Sequence, residues 1–214
     1  MLAEAKGRSP ERSRRNKHMK FIQIKQGKKS KHVVNTPGEY IFFIHNYSGE
    51  VDIEIKSQEA KVFIYGIYVG KKGDNFTLNT IQHHKIGNSI SDLLIKGVFF
   101  DDAKFIYDGL IKIDKKAQKS NAYQKNQNLM LSKDVFVSSK PNLEILANDV
   151  RCTHGSTTGQ LDQTQVYYLK TRGLTEDTAQ KLLIEGFVGD VFNKMEENGV
   201  DDPVILERIR QSTT

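Results

Sequence analysis

Short apolar segments follow one another from Gly38 to about Asp149, and no helical pattern separates them. Several alternate apolar and polar residues, as a strand with one buried face does; residues 51–55 and 103–113 are examples. Clusters of Gly, Asn, Asp, Ser and Lys connect the segments and are typical of turns. The series predicts a mainly β fold and leaves three architectures open: a sandwich, a closed barrel or a β-helix.

The C-terminal part of the chain has a different pattern. Residues 175–197 predict an amphipathic helix, with Thr175 as its N-cap and with Asn198 and Gly199 at its end. A second short helix is predicted from Pro203, because proline suits the first helical position. The apolar face of the longer helix carries residues at three- and four-residue spacing, namely Ala179, Leu182, Leu183, Gly186, Phe187, Val191 and Met195. The predicted order is a tail, a β body and a helical hairpin.

Charge is distributed unevenly along the 214 residues, whose net charge is +6. Eleven of the 32 Lys and Arg residues lie within residues 1–31, and the rest of the chain has more acidic than basic residues. We expect residues 1–31 to be a disordered basic tail, or Met19 to be the true start. A nucleic-acid-binding domain carries a basic face on its fold, so the charge argues against that function. An RNA-associated role for residues 6–31 is the weakest hypothesis.

Two further features of the sequence bear on the cellular compartment and on the chemistry open to its single cysteine. No window approaches the roughly 18 consecutive apolar residues of a membrane-spanning helix, and the N-terminus has no apolar signal region. We therefore expect a cytoplasmic protein without a membrane partner. Cys152 is the single cysteine, which excludes an internal disulfide and any all-cysteine metal site built by one chain.

The histidines differ in what their spacing predicts. His83 and His84 are adjacent and predict a solvated turn rather than a metal site. Cys152 and His154 stand two residues apart, so on a strand they share one face and can approach a common ion. Two ligands are too few for a closed site. Spacing alone therefore favours a small buried cysteine and a hydrogen-bonded histidine.

Linked motifs follow one another between residues 139 and 192. They are Lys140-Pro141-x-Leu143-Glu144-Ile145, Asp149-Val150-x-Cys152-x-His154-Gly155, Gly159-Gln160-Leu161-Asp162 and Tyr167-Tyr168-Leu169-x-x-Arg172-Gly173. In this order they closely resemble the C-terminal core of the SufB/SufD family, which works in SUF iron–sulfur cluster assembly. Residues 108–113 and 126–131 are similar to the family as well. The resemblance covers residues 90–212 well and residues 34–90 loosely.

The resemblance implies a right-handed parallel β-helix, or β-solenoid, over residues 34–174 and a C-terminal α-helical region over residues 175–212. It also implies a non-catalytic scaffold subunit of a SUF complex, which pairs with a SufB/SufD-like chain or forms a homodimer. The helical region would dock a SufC-like ABC ATPase, and ATP would act only through that partner. The predicted docking residues are Leu182, Leu183, Phe187 and Val191. Nothing in the sequence assigns a flavin.

The resemblance also assigns the candidate site. His154 matches a histidine implicated in cluster assembly at the subunit interface, and Cys152 matches a SufD cysteine. A transient iron–sulfur cluster would be shared with the partner chain, with His154 and Cys152 as candidate metal ligands. Thr153 and Gly155 fit the SufD pattern, whereas SufB has Glu-His-Glu at positions 153–155. SufB also carries a cysteine implicated in holding the nascent cluster, and its counterpart lies near Val135, where this chain has no thiol.

The length of the chain differs from that of the family. Full-length members carry an N-terminal helical domain before the β-helix, so this chain resembles a short form that lacks it. The alternative hypothesis is a stand-alone β-solenoid that mediates protein interactions without cluster chemistry.

Overall fold

The computed structural model describes residues 19–200. It contains two helices, which we call α1 (Gln163–Thr171) and α2 (Glu176–Glu197). The strands are β1 (Met19–Gln23), β2 (Lys29–Val34), β3 (Gly38–His45), β4 (Gly49–Ile55), β5 (Ala60–Gly70), β6 (Asn75–His84), β7 (Ile90–Phe99), β8 (Lys104–Ile113), β9 (Asn121–Met130), β10 (Phe136–Ile145) and β11 (Arg151–Gly159).

The strands form two parallel sheets that face each other. The odd-numbered strands form one sheet in the order β1-β3-β5-β7-β9-β11, and the even-numbered strands form the other in the order β10-β8-β6-β4-β2. The chain thus alternates between the sheets and returns each time one strand further along. Lys61, for example, pairs with Ile90, which pairs with Asn121. The predicted parallel β-helix is confirmed.

Large apolar side chains fill the space between the sheets through most of the β-helix. Phe105 has the ring of Tyr68 at 4.6 Å and the ring of Phe99 at 5.1 Å, and all three side chains are fully buried. Burial of one such side chain stabilises the fold by roughly 1.5–3 kcal/mol. Toward the C-terminal turns the buried side chains become polar, and they include Gln82, Gln124, Asn126 and Asn128.

Helix α2 packs on the outer face of the odd-numbered sheet. Val191 and Met195 are fully buried there in a cluster with Ile41, Phe43 and other residues of the sheet. The predicted ends of this helix are confirmed. The Thr175 side chain accepts a hydrogen bond from the backbone N–H of Thr178, and Asn198 is the C-cap, followed by Gly199 with φ of 96°.

A buried lysine adds a polar attachment of α2 to the sheet. The Lys96 ammonium, on β7, donates to the backbone carbonyl of Phe187 at 2.9 Å and lies 2.8 Å from the carboxylate of Asp190. The ammonium also stands over the Phe187 ring, 4.5 Å from its centroid.

The N-terminal boundary of the β-helix was predicted wrongly. The described residues of the expected 1–31 tail form strand β1 and the start of β2, because apolar side chains such as Phe21 pack against the cluster under α2. The lysines of β2 meet acidic residues of β4: Lys29 lies 2.6 Å from Glu50, and Lys31 lies 2.8 Å from Glu54. The positive charge here is therefore matched within the sheet. Residues 1–18, where the rest of the tail was predicted, lie outside the described residues.

The boundary between the β and helical regions also differs from the prediction. Residues 163–171 form helix α1, although they belong to the range expected to be β-helix. Asp162 initiates the helix by accepting a hydrogen bond from the backbone N–H of Thr164 at 2.8 Å. The helical region is thus formed by α1 and α2, and the helix predicted from Pro203 lies outside the described residues.

Candidate functional site

The C-terminal end of the β-helix is uncovered within residues 19–200. Among these residues strand β10 pairs only with β8, and β11 pairs only with β9, so each is the edge of its sheet. On β8, Ile111 and Ile113 point inward and are fully buried, whereas their register partners on β10, Leu143 and Ile145, are 38% and 39% exposed. Within residues 19–200 no further turn covers these side chains. We call this surface, formed by β10 and β11, the open end.

Cys152 and His154 both lie on β11, and strand alternation places them on the same, inner face. Three contacts identify that face. Cys152 packs against the buried apolar cluster that contains Ile111, the Ser156 hydroxyl bonds that of Ser139 on β10 at 2.8 Å, and the Thr158 hydroxyl accepts from Asn128 at 3.3 Å. The prediction that Cys152 and His154 share a face is confirmed.

The two side chains have different surroundings. Cys152 is half-buried, and burial raises the pKa of its thiol, which favours the neutral form near pH 7. His154 is exposed and pairs in register with Gln124 of β9. In the part of the chain that the structure describes, no three His, Cys, Asp or Glu side chains are grouped closely enough to hold a metal ion. A metal at Cys152 and His154 would therefore need ligands from outside these residues.

His83 and His84 were predicted to form a solvated turn, and the structure corrects this. They end strand β6, and both are buried. The two nitrogens of His84 lie 2.7 and 2.8 Å from the hydroxyls of Ser89 and Ser91, and burial lowers its pKa to about 4. His83 lies 2.8 Å from the carboxylate of Asp114. Both histidines therefore have structural partners, which explains why two adjacent polar residues can end a buried strand.

Three of the four predicted docking residues on α2 are at least partly exposed, and the fourth is buried. Leu182 is 48% exposed, and Leu183 lines a shallow surface depression together with residues of α1. Phe187 is half-buried and lies beneath the Lys96 ammonium. Val191 is fully buried against the sheet, so its burial argues against the predicted contact with an ATPase.

Two exposed aromatic residues on α1 extend this surface. Tyr167 is 69% exposed, and the Tyr168 ring lies beneath the guanidinium of Arg172 at 5.1 Å. Both tyrosines belong to the motif Tyr167-Tyr168-Leu169-x-x-Arg172-Gly173, for which no role was predicted. Two tyrosines in a row before an Arg-Gly pair were the available signal, because exposed aromatic residues are enriched at protein interfaces.

A cleft of about 660 Å³ lies between α2 and the ends of strands β5 and β7 beneath it. Its walls are mostly apolar, and Lys71 and Glu185 are among its charged lining residues. The apolar lining residues are Val69, Val98, Phe100, Ile184, Val188 and Phe192. The cleft is thus a second surface on α2 that suits an apolar side chain of another protein.

Comparison with known proteins identifies the class to which this fold and site belong. Residues 13–187 match the family model described as SUF system FeS cluster assembly, SufBD core domain. The chain therefore belongs to the SufB/SufD family.

Among its relatives, the iron–sulfur cluster assembly protein SufD of Escherichia coli is 30% identical over 158 residues, which cover 74% of this chain and 37% of the relative. SufD of Bacillus subtilis is 35% identical over 136 residues, covering 64% of this chain and 31% of the relative. A SufBD family protein of Synechocystis is 37% identical over 102 residues, covering 48% of this chain and 22% of the relative. The SufD names support the assignment to the SufD branch made from Thr153 and Gly155.

The chain spans less than two fifths of the length of each of these relatives. The matched portion is the core domain, and it contains the open end and the first half of α2. Among residues 19–200, neither helix has the length and apolar character needed to cross a membrane.

Proposed function

We propose that this protein is a non-catalytic scaffold subunit of a cytoplasmic SUF-type iron–sulfur assembly complex. It pairs through its open end with a SufB/SufD-like chain or a second copy of itself, and it docks a SufC-like ATPase on α1 and α2. The observation that carries the proposal is the open end, where an inner face with a candidate metal-ligand pair lies uncovered within the described residues.

The chemistry of the open end suits another β-rich chain. Edge strands present backbone N–H and C=O groups that a partner strand can pair with. Leu143 and Ile145 add apolar area on the same face, and Leu146, 59% exposed, lies next to them. Covering these groups would remove apolar surface from water and satisfy backbone groups at once, which is what a stable interface requires.

A cluster at this interface would be shared between two chains. His154 is exposed on the inner face and offers an imidazole nitrogen, which is a common ligand of iron and zinc. Cys152 is the weaker candidate, because burial raises the pKa of its thiol and the thiolate is the form that binds metal. The principal thiolate is therefore expected from the partner chain, and the nascent cluster is cargo of the complex.

The ATPase would bind the exposed side of the helical region. Leu182, Leu183 and Tyr168 present apolar and aromatic surface there, next to the cleft under α2. Val191 and Met195 hold α2 to the sheet instead. ATP would act on the scaffold only through this partner, whose movement α2 would transmit to the β-helix through the contact of Lys96 with Asp190.

The test is co-expression with a SufC-like ATPase and a SufB-like chain, followed by anaerobic reconstitution with iron and sulfide. His154→Ala should leave the complex folded and assembled but lower the iron bound per complex. Thr153→Ala, an exposed neighbour on the opposite face of β11, is the matched control and should bind iron as the unmodified chain does. Full iron content in a folded His154→Ala complex would remove the ligand role. Failure to bind either partner would favour the stand-alone interaction module.

A further inference from the structure

One buried carboxamide next to the candidate site has no hydrogen-bond partner. Gln124 is 0% exposed, and neither its side-chain oxygen nor its side-chain nitrogen is hydrogen-bonded within the described structure. The next inward residue on the same strand, Asn126, is partnered, because it exchanges hydrogen bonds with Asn128. Burying a polar group without a partner is costly, so such a group points to an interaction that it is kept for.

The position of Gln124 identifies the partner. Gln124 and His154 are paired in register on the adjacent parallel strands β9 and β11, and both belong to the inner face. Neighbouring strands lie roughly 4.8 Å apart, which is within reach of two long polar side chains that share a face. The imidazole of His154 is exposed and can rotate, and the terminal torsion of glutamine is broad.

The opposite sheet restricts the Gln124 side chain further. A Cβ atom built on Gly109 of β8 would lie 2.3 Å from the side-chain nitrogen of Gln124 and 2.4 Å from the hydroxyl of Tyr107. Glycine at this point leaves room for the carboxamide without a shift of either side chain. The Tyr107 hydroxyl already bonds that of Thr80 at 2.9 Å. The Gln124 carboxamide therefore lies against Gly109, beneath the open end.

We propose that Gln124 is a positioning residue for His154. Its carboxamide forms a hydrogen bond with the imidazole nitrogen that faces β9, and the second ring nitrogen is thereby presented at the open end for a metal. The side-chain nitrogen of Gln124 lies on the side of Gly109, so the oxygen is the atom that accepts from an imidazole N–H, and the contact favours the tautomer whose N–H faces β9. The metal-binding part of this inference rests on the proposed function of His154.

The test measures the tautomer of His154 directly. The full-length chain is prepared with isotopically labelled histidine, and the two tautomers are distinguished by nitrogen NMR at about pH 8, where an ordinary imidazole is neutral. The denatured chain supplies the reference ratio. We expect the folded chain to differ from that reference by roughly threefold or more, as one net hydrogen bond implies.

Three variants complete the experiment. Gln124→Met should return the ratio toward that of the denatured chain, whereas Gln124→Glu, which only accepts, should hold the tautomer whose N–H faces β9. Gln82→Met is the matched control, because Gln82 is also 0% exposed but lies on β6 of the facing sheet, where its side-chain nitrogen donates to the Tyr123 backbone carbonyl at 3.4 Å. If Gln124→Met does not fold, the tautomer ratio of His154 in Gln124→Glu is compared with that of the denatured chain instead, and a ratio equal to the denatured one rejects the contact. A denatured-like ratio in the folded unmodified chain, or an unchanged ratio in Gln124→Met, would overturn the proposal.

The NMR measurement needs neither partner chain, iron nor sulfide, so it is independent of cluster assembly. If Gln124→Met changes the tautomer ratio of His154 while His154→Ala keeps its full iron content, the positioning contact stands and the ligand role is rejected. If the tautomer ratio of the folded chain equals that of the denatured chain while His154→Ala loses iron, the ligand role stands and the positioning contact is rejected.

Discussion

Strands β8 and β10 carry similar inner faces in different surroundings. Ile111 on β8 is fully buried, and its register partner on β10, Leu143, is more than a third exposed. β8 has a paired strand on each side, whereas β10 has one within the described part of the chain. The apolar pattern of the core thus continues into a turn that the described residues do not cover. The closed turns therefore stabilise the fold, while the last turn is suited to a partner.

The largest expected effect tests this comparison directly. Ile111→Ala should lower the free energy of unfolding by about 2–5 kcal/mol, because it leaves a cavity in a closed layer. Leu143→Ala should cost less than about 1 kcal/mol in the isolated chain, because its side chain is partly in water already. Urea unfolding of both variants measures the difference. Equal losses would show that the open end is as closed as β8 in solution.

The second prediction concerns the attachment of α2. Asp190→Ala should destabilise the chain by about 2 kcal/mol, because it removes the carboxylate and leaves the buried Lys96 ammonium with the Phe187 carbonyl and ring. Lys96→Met should cost less, since the Asp190 side chain is 43% exposed and water can solvate its charge. The order of the two variants in urea unfolding is the result to check. The reverse order would mean that the ammonium reaches water in the native state.

The third prediction uses pH to probe the buried histidine at the end of β6. Burial lowers the pKa of His84 to about 4, below the ordinary value of about 6.5 that applies in the unfolded chain. Between these values the unfolded chain binds the proton more tightly, so the contribution of His84 to stability is present above pH 6.5 and is lost as the pH falls toward 4. Between about pH 7.5 and pH 5 we expect this to remove about 1–2 kcal/mol.

His84→Gln supplies the comparison for this pH effect. The variant cannot take up the proton, so its stability should change less over the same pH range, whatever its absolute stability. His32 and His45, whose pKa values burial also lowers, are present in both proteins and contribute equally to each. Parallel pH profiles for the two proteins would show that His84 is not protonated on unfolding in this range.

Much of the fold could be predicted from the sequence, because in those segments the local sequence signals agree with the packing of the folded chain. The end of α2 carries its own capping residues, and Cys152 and His154 share a face by the geometry of any strand. The family resemblance chose the β-helix among three architectures, since strand periodicity does not record which strands pair. The roles of His154 and of the α2 surface remain predictions.

Several of the errors arose where contacts between separate segments decide. Lys29 and Lys31 look like part of a basic tail until β4 places Glu50 and Glu54 beside them. His84 looks solvated until Ser89 and Ser91 from the following turn and strand supply its partners. No local pattern shows that Gln124 lies beneath His154, because their register is set by two strands that are thirty residues apart in sequence.

The smallest expected effect on stability tests the helical surface. Leu182, on α2, and Val33, on β2, are 48% and 47% exposed, so they form a matched pair of exposed aliphatic residues in different regions. Leu182→Lys and Val33→Lys should each change the free energy of unfolding by no more than about 0.5 kcal/mol, because neither site is buried. Only Leu182→Lys should weaken ATPase binding, by about 2 kcal/mol or more if Leu182 is an interface anchor. Titration of the purified ATPase against each folded variant measures this. Equal affinity for both variants would place the docking surface elsewhere, with the cleft under α2 and the tyrosines of α1 as the next positions to change.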